Sequence, residues 1–128
     1  MNILLDTHTF LWFIAGSDEL TTKARELIED ENNVILLSAA SLWEMAIKVG
    51  LGKLTLNEPF ETLIPEQLST NGFQILDINV SHTAKIINLP FHHRDPFDHL
   101  LNAQALTEEI PIISSDVVFD EYGVTRLW

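Results

Sequence analysis

Five short apolar runs, none alternating with polar residues, recur along the chain at 2–5, 34–37, 73–76, 110–113 and 124–127. A half-exposed strand would show a polar residue at every second position, so a run without alternation marks a strand covered on both faces. Between the runs lie stretches with helical signals, at 9–15, 22–31, 39–49, 59–70, 81–88 and 96–109. Strand and helix alternating in this way form βαβ units with right-handed crossovers. The expected fold is therefore α/β, a mainly parallel sheet of about five strands with helices on both faces. A length of 128 residues suits one domain spanning 1–128, and no repeat, low-complexity tract or Ser- or Pro-rich linker divides it.

Composition narrows the function classes. With 46% hydrophobic and 20% charged residues, five Gly and five Pro, the chain is neither collagen-like nor disordered. It has no cysteine, which removes disulfides, thiolate nucleophiles and Cys-based zinc sites, and makes a reducing cytoplasm the expected compartment. The first apolar run stops at Asp6 with no Lys or Arg before it, so no targeting signal is expected, and no segment approaches the roughly 18 apolar residues of a membrane helix. Seven Lys and Arg against nineteen Asp and Glu give a net charge of −12. Charge alone speaks against nucleic acid as a partner, because no basic face is available to attract phosphates. The acidic cluster Glu26, Glu29, Asp30 and Glu31 reads as a solvated helix end, and Gly50-Leu51-Gly52-Lys53 as a turn, since the Ser or Thr of a phosphate loop is missing after the Lys.

In an open α/β sheet, ligands bind beyond the carboxyl ends of the strands. Four acidic residues map to that rim: Asp6 ends the first strand, Glu44 lies in the helix after the second, Asp98 in the first turn of the long helix and Asp116 just past the fourth strand. Each also has a purely structural reading. Asp6 could cap the helix that follows it. Ser41 and Glu44 fit the capping box S-x-x-E. Asp98 suits the third position of a helix capped by Asp95 with Pro96 at its first position. Asp116 could open a turn or a short helix over 117–121. Taken together, four carboxylates in one place repel unless a cation neutralises them. An all-oxygen site suits Mg²⁺ or Mn²⁺ better than Zn²⁺, and such an ion favours phosphodiester hydrolysis by acidifying a bound water.

At these residues the chain resembles the PIN-domain ribonucleases, in particular the VapC-type toxins of bacterial toxin–antitoxin pairs. The resemblance runs from Leu4-Leu5-Asp6-Thr7-His8-Thr9-Phe10-Leu11-Trp12, through Ser38-Ala39-Ala40-Ser41-Leu42-Trp43-Glu44 with Lys48 and Gly52-Lys53-Leu54, to the long block 93–105 and the terminal Leu127-Trp128. It implies a three-layer PIN-like fold and a quartet, Asp6, Glu44, Asp98 and Asp116, binding one or two Mg²⁺ or Mn²⁺ ions, with Thr7 and Ser114 as supporting hydroxyls. It also implies an RNA substrate, a cognate antitoxin and pairing of the toxin with itself. Lys48, Lys53, Arg94 and His99 are the candidate RNA contacts, with His92 and His93 beside them. His99 stands where relatives often carry Arg, and Ser114 where Thr is frequent. Asp120 is a fifth acidic residue nearby, read as solvated. The apolar run Phe10-Leu11-Trp12-Phe13-Ile14 is expected to divide between core and partner contact, and Trp43 and Phe60 to be core or interface.

Two other readings compete with the ribonuclease. A receiver-like Mg²⁺-binding regulatory domain would use Asp77, after the third strand, as phosphoacceptor, but Asn2-Ile3-Leu4-Leu5 lacks the acidic pair such a domain needs. A nuclease of the same fold acting on DNA is compatible with the quartet, although 128 residues leave no room for the helical insertions usual in such enzymes.

Overall fold

The computed structural model describes residues 1–90 and 95–128. In chain order its elements are β1 (Asn2–Leu5), α1 (Thr7–Ala15), α2 (Thr22–Glu29), β2 (Val34–Ser38), α3 (Ala39–Gly50), α4 (Phe60–Asn71), β3 (Gln74–Leu76), α5 (Val80–Ile87), α6 (Pro96–Glu108), β4 (Ile112–Ile113), α7 (Val118–Glu121) and β5 (Arg126–Leu127). The five strands form one sheet in the order β3-β2-β1-β4-β5, and every adjacent pair is parallel. The expected α/β architecture is thus present.

Successive strand residues point to opposite faces, and the core divides accordingly. Ile3, Leu5, Ile35, Leu37 and Ile113 pack with Phe10 of α1, Ala24 and Ile28 of α2, Met45 of α3 and Ile64 of α4. Leu4 and Ile112 pack on the other side with Leu101 and Ala105 of α6 and with Val118 and Phe119 of α7. The sheet is therefore a middle layer, its central strand β1 buried from Ile3 to Leu5.

Local chemistry sets the helix starts. Asp6, Thr21, Ser38 and Asn79 each accept a hydrogen bond from a first-turn N–H of the helix they precede. Asp95 does the same for Phe97 and Asp98, with Pro96 at the first helical position, as the sequence predicted. The expected capping box of Ser41 and Glu44 does not form. Ser38 caps α3 instead, which puts Ser41 inside the first turn and Glu44 in the second. At the other end of α1, Gly16 takes φ +63°, the left-handed conformation that closes a helix. Glu26, Glu29, Asp30 and Glu31 are all exposed, as expected of a solvated helix end.

Candidate active site

The strand order reverses direction between β1 and β4, and ligand crevices form at the carboxyl ends of strands at such a reversal. Asp6 leaves β1 at that point, and Ser114 and Asp116 leave β4 beside it. Asp98 sits in the first turn of α6 and Glu44 in α3. Asp6, Glu44, Asp98 and Asp116 line one open cavity of about 320 Å³. Four separate elements or their ends thus bring the expected quartet to one place.

Each carboxylate is held by named donors. Asp6, 6% exposed, accepts the Thr9 N–H on Oδ1 at 2.7 Å and the Ser114 hydroxyl on Oδ2. It therefore caps α1 and faces the rim at once. Ser114 Oγ in turn accepts the Asp116 N–H at 3.0 Å, while Asp116 Oδ1 accepts the Val118 N–H at 3.0 Å and so starts the turn into α7. Glu44, also 6% exposed, accepts the Thr7 hydroxyl on Oε1 at 2.6 Å and pairs with Lys48 Nζ on Oε2 at 2.8 Å. Thr7 Oγ1 also lies 2.9 Å from the Ser41 hydroxyl. The hydroxyls of Thr7 and Ser114 therefore aim carboxylates.

Burial raises the Asp6 carboxyl above its usual range, against the opposing pull of the Ser114 and Thr9 hydrogen bonds. Asp98 is pushed up to about 7, first by desolvation and then by the negative charges of Asp95, Asp116, Asp6 and Glu44. The whole quartet is felt at this one residue.

The remaining predicted contacts separate. Lys48 reaches the carboxylate cavity, whereas Lys53 is exposed on the wall of a neighbouring groove. His99 is 4% exposed, its ring edge-on to Tyr122 with centroids 5.5 Å apart. Its neighbour Asp98 faces the rim, so the helical rotation of one residue turns His99 inward and argues against the expected RNA contact. Arg94, His92 and His93 lie outside the described residues. Asp120 forms a two-pronged pair with Arg126, at 3.1 and 3.2 Å. Asp77 is exposed past the edge strand β3 and is not part of the cavity wall. His8 and Asp95 do line the cavity, although sequence reasoning gave them no site role.

The four carboxylates suit a hard cation, since they offer oxygen ligands and no thiolate is present, and desolvation with clustered charge has already raised Asp98. Among the described residues, no three His, Cys, Asp or Glu side chains form a ready-made metal cage.

A parallel five-stranded sheet with acidic residues gathered at its switch point defines a class, and the chain belongs to the PIN domain family, which matches residues 3–124. Within it, the chain is 39% identical over 66 residues to Ribonuclease VapC16 of Mycobacterium tuberculosis, a match covering 52% of this chain and 47% of that protein. The match thus spans about half the length of that curated relative. Solved structures share the fold over nearly the whole chain. VapBC2 from Rickettsia felis, bound to a promoter DNA fragment, has TM-score 0.75 at 19% identity, covering 99% of this chain and 98% of that one. DNA-bound VapBC from Salmonella typhimurium has TM-score 0.73 at 15% identity, covering 99% and 97%. Among the described residues no helix is long and apolar enough to cross a membrane.

Proposed function

We propose that residues 1–128 act as one PIN domain, a metal-dependent endoribonuclease toxin of a toxin–antitoxin pair that hydrolyses RNA phosphodiester bonds. The observation that carries this reading is the meeting of Asp6, Glu44, Asp98 and Asp116 at one cavity, their charges summed on Asp98. Those four residues would hold Mg²⁺ or Mn²⁺, which when bound lowers the pKa of a coordinated water and offsets charge on a phosphoryl oxygen. The protein's own residues position and neutralise. Ser114 and Thr9 fix the Asp6 carboxylate, Thr7 fixes Glu44, and Lys48 brings a cation to within 2.8 Å of Glu44 at the edge of the cavity. Asp98, raised to about 7 by desolvation and its acidic neighbours, holds its proton up to near neutrality and would give it up on holding a cation.

Three features support protein partners. The VapBC neighbours are complexes, and a net charge of −12 complements a basic antitoxin. Trp43, Ile47 and Leu51, one turn apart along α3 and its end, are 61%, 38% and 63% exposed, an apolar stripe suited to pairing with a second copy. The receiver-like reading loses its footing with Asp77 outside the cavity. Digestion of matched RNA and DNA oligonucleotides with Mn²⁺ or with EDTA tests the rest: RNA cut only with the metal supports the proposal, whereas DNA cut in preference, or cleavage in EDTA, overturns it.

A further inference from the structure

A groove of about 710 Å³ adjoins the carboxylate cavity, and His8 and Lys48 belong to the walls of both. His8 is exposed, and its ring lies 5.8 Å from that of Trp12, one turn further along α1, at an interplanar angle of 33°. Trp12 is half-buried and its ring also lies 5.9 Å from that of Trp128, at an interplanar angle of 53°. Leu11 and Leu54 add apolar surface. The chain carries seven basic against nineteen acidic residues, whereas this wall, among the described residues, sets Lys53 against the single carboxylate Glu58, with Lys48 at its edge paired to Glu44. Aromatic faces beside cations are what an unpaired nucleic-acid strand requires, since every base offers a π-face and every phosphate a negative charge.

We propose that the His8–Trp12 pair is a stacking seat for an unpaired RNA base beside the carboxylate cavity, with the groove beyond it taking the adjoining strand. This rests on the ribonuclease reading and adds to it the residues that grip the bases of the substrate. Base selection would then occur here, beside the carboxylate cavity, through the fit of a base against the two rings.

The test is binding of a labelled single-stranded RNA, and of the same strand with abasic positions, in EDTA at low salt, so that nothing is cut. Removing bases from the strand is expected to weaken binding to the parent protein by about 5- to 100-fold. His8→Ala and Trp12→Leu should bind both strands equally and weakly, while Trp12→Phe, which keeps a ring, restores most of the difference. Thermal unfolding of each variant identifies any that fails to fold, and His8→Ala, at an exposed position, keeps the test open if Trp12→Leu does not. Equal affinity of the parent for intact and abasic strands overturns the proposal. So do ring variants that discriminate as the parent does. If these variants bind RNA normally but no longer assemble with a co-expressed partner protein, the groove is a protein seat and the RNA assignment is likewise overturned. A parent protein that cuts no RNA with Mn²⁺ removes the ribonuclease reading itself, whereas active cleavage with indifferent ring variants removes only the stacking seat.

Discussion

Asp98 condenses the chemistry of the site. Its carboxyl stands near 7 in the folded chain against 3.8 for the unfolded reference, so between those values the folded state binds a proton that the unfolded state does not. The stability contributed by the neutral carboxyl is fully present below the unfolded value and is lost as pH rises through about 7. In EDTA, the midpoint of urea unfolding is therefore expected to fall between about pH 5 and about pH 8, and Asp98→Asn should lose much of that fall. An unchanged pH dependence in the variant would contradict the assignment. Asp6, Asp98 and Asp116 were legible at this scale because each follows a strand or opens a helix, and Glu44 because it lies in the helix after the second strand. His99 was not, since one polar residue inside a long helix carries no sign of which way it faces. His82 escaped notice for the same reason: it is fully buried, bonded to Glu108 at 2.8 Å and to the Asn79 N–H at 3.2 Å, closing a capping box of unusual composition.

Elements hold the carboxylates in place through a small number of buried polar links. Ser38 is the clearest. Its Oγ caps α3 by accepting the Ala40 N–H at 3.0 Å and donates to Gln104 Oε1 of α6 at 2.6 Å. Gln104 Nε2 reaches the Asp77 carbonyl at 3.3 Å, so the helix carrying Asp98 is tied to the ends of β2 and β3. Ser38→Ala removes the cap and leaves the buried Gln104 oxygen without its donor, a cost of about 2–4 kcal/mol. Denaturant unfolding should show it, and a change below about 0.5 kcal/mol would mean that the link is inessential. All five strands were visible as apolar runs, but their ends were not. The run 110–113 pairs only over Ile112–Ile113, and the run 124–127 only over Arg126–Leu127. Val124 and Ile110 pack into the α6–α7 side of the core without joining a ladder, so apolar character overstates strand length where burial continues beyond pairing. The capping box at Ser41 failed similarly, because Ser38 and Ser41 both precede helical sequence and only the chain path from β2 selects the first.

Across the whole molecule, charge sets how a phosphate is approached. A chain at −12 repels RNA, and its candidate contacts nearest the motifs are Lys48, Lys53 and Arg94. Three such contacts give a slope of about −2 for log affinity against log salt, far below that of a protein with a basic face. Binding measured across a salt series checks this, and a slope steeper than about −5 would require cations from elsewhere. The sheet order was beyond reach of sequence, because the two-residue β4 must find β1 across the chain, yet that pairing is what sets Asp116 beside Asp6. Local patterns thus identified the parts of the site, and long-range pairing assembled them. The most direct measurement is single-turnover cleavage of RNA with Mn²⁺ by the parent and by Asp6→Asn, Glu44→Gln, Asp98→Asn and Asp116→Asn. A shared site predicts that every variant loses at least about 100-fold in rate, because each removes charge needed in the transition state, while each remains folded. A variant that folds and cuts as fast as the parent would contradict the quartet.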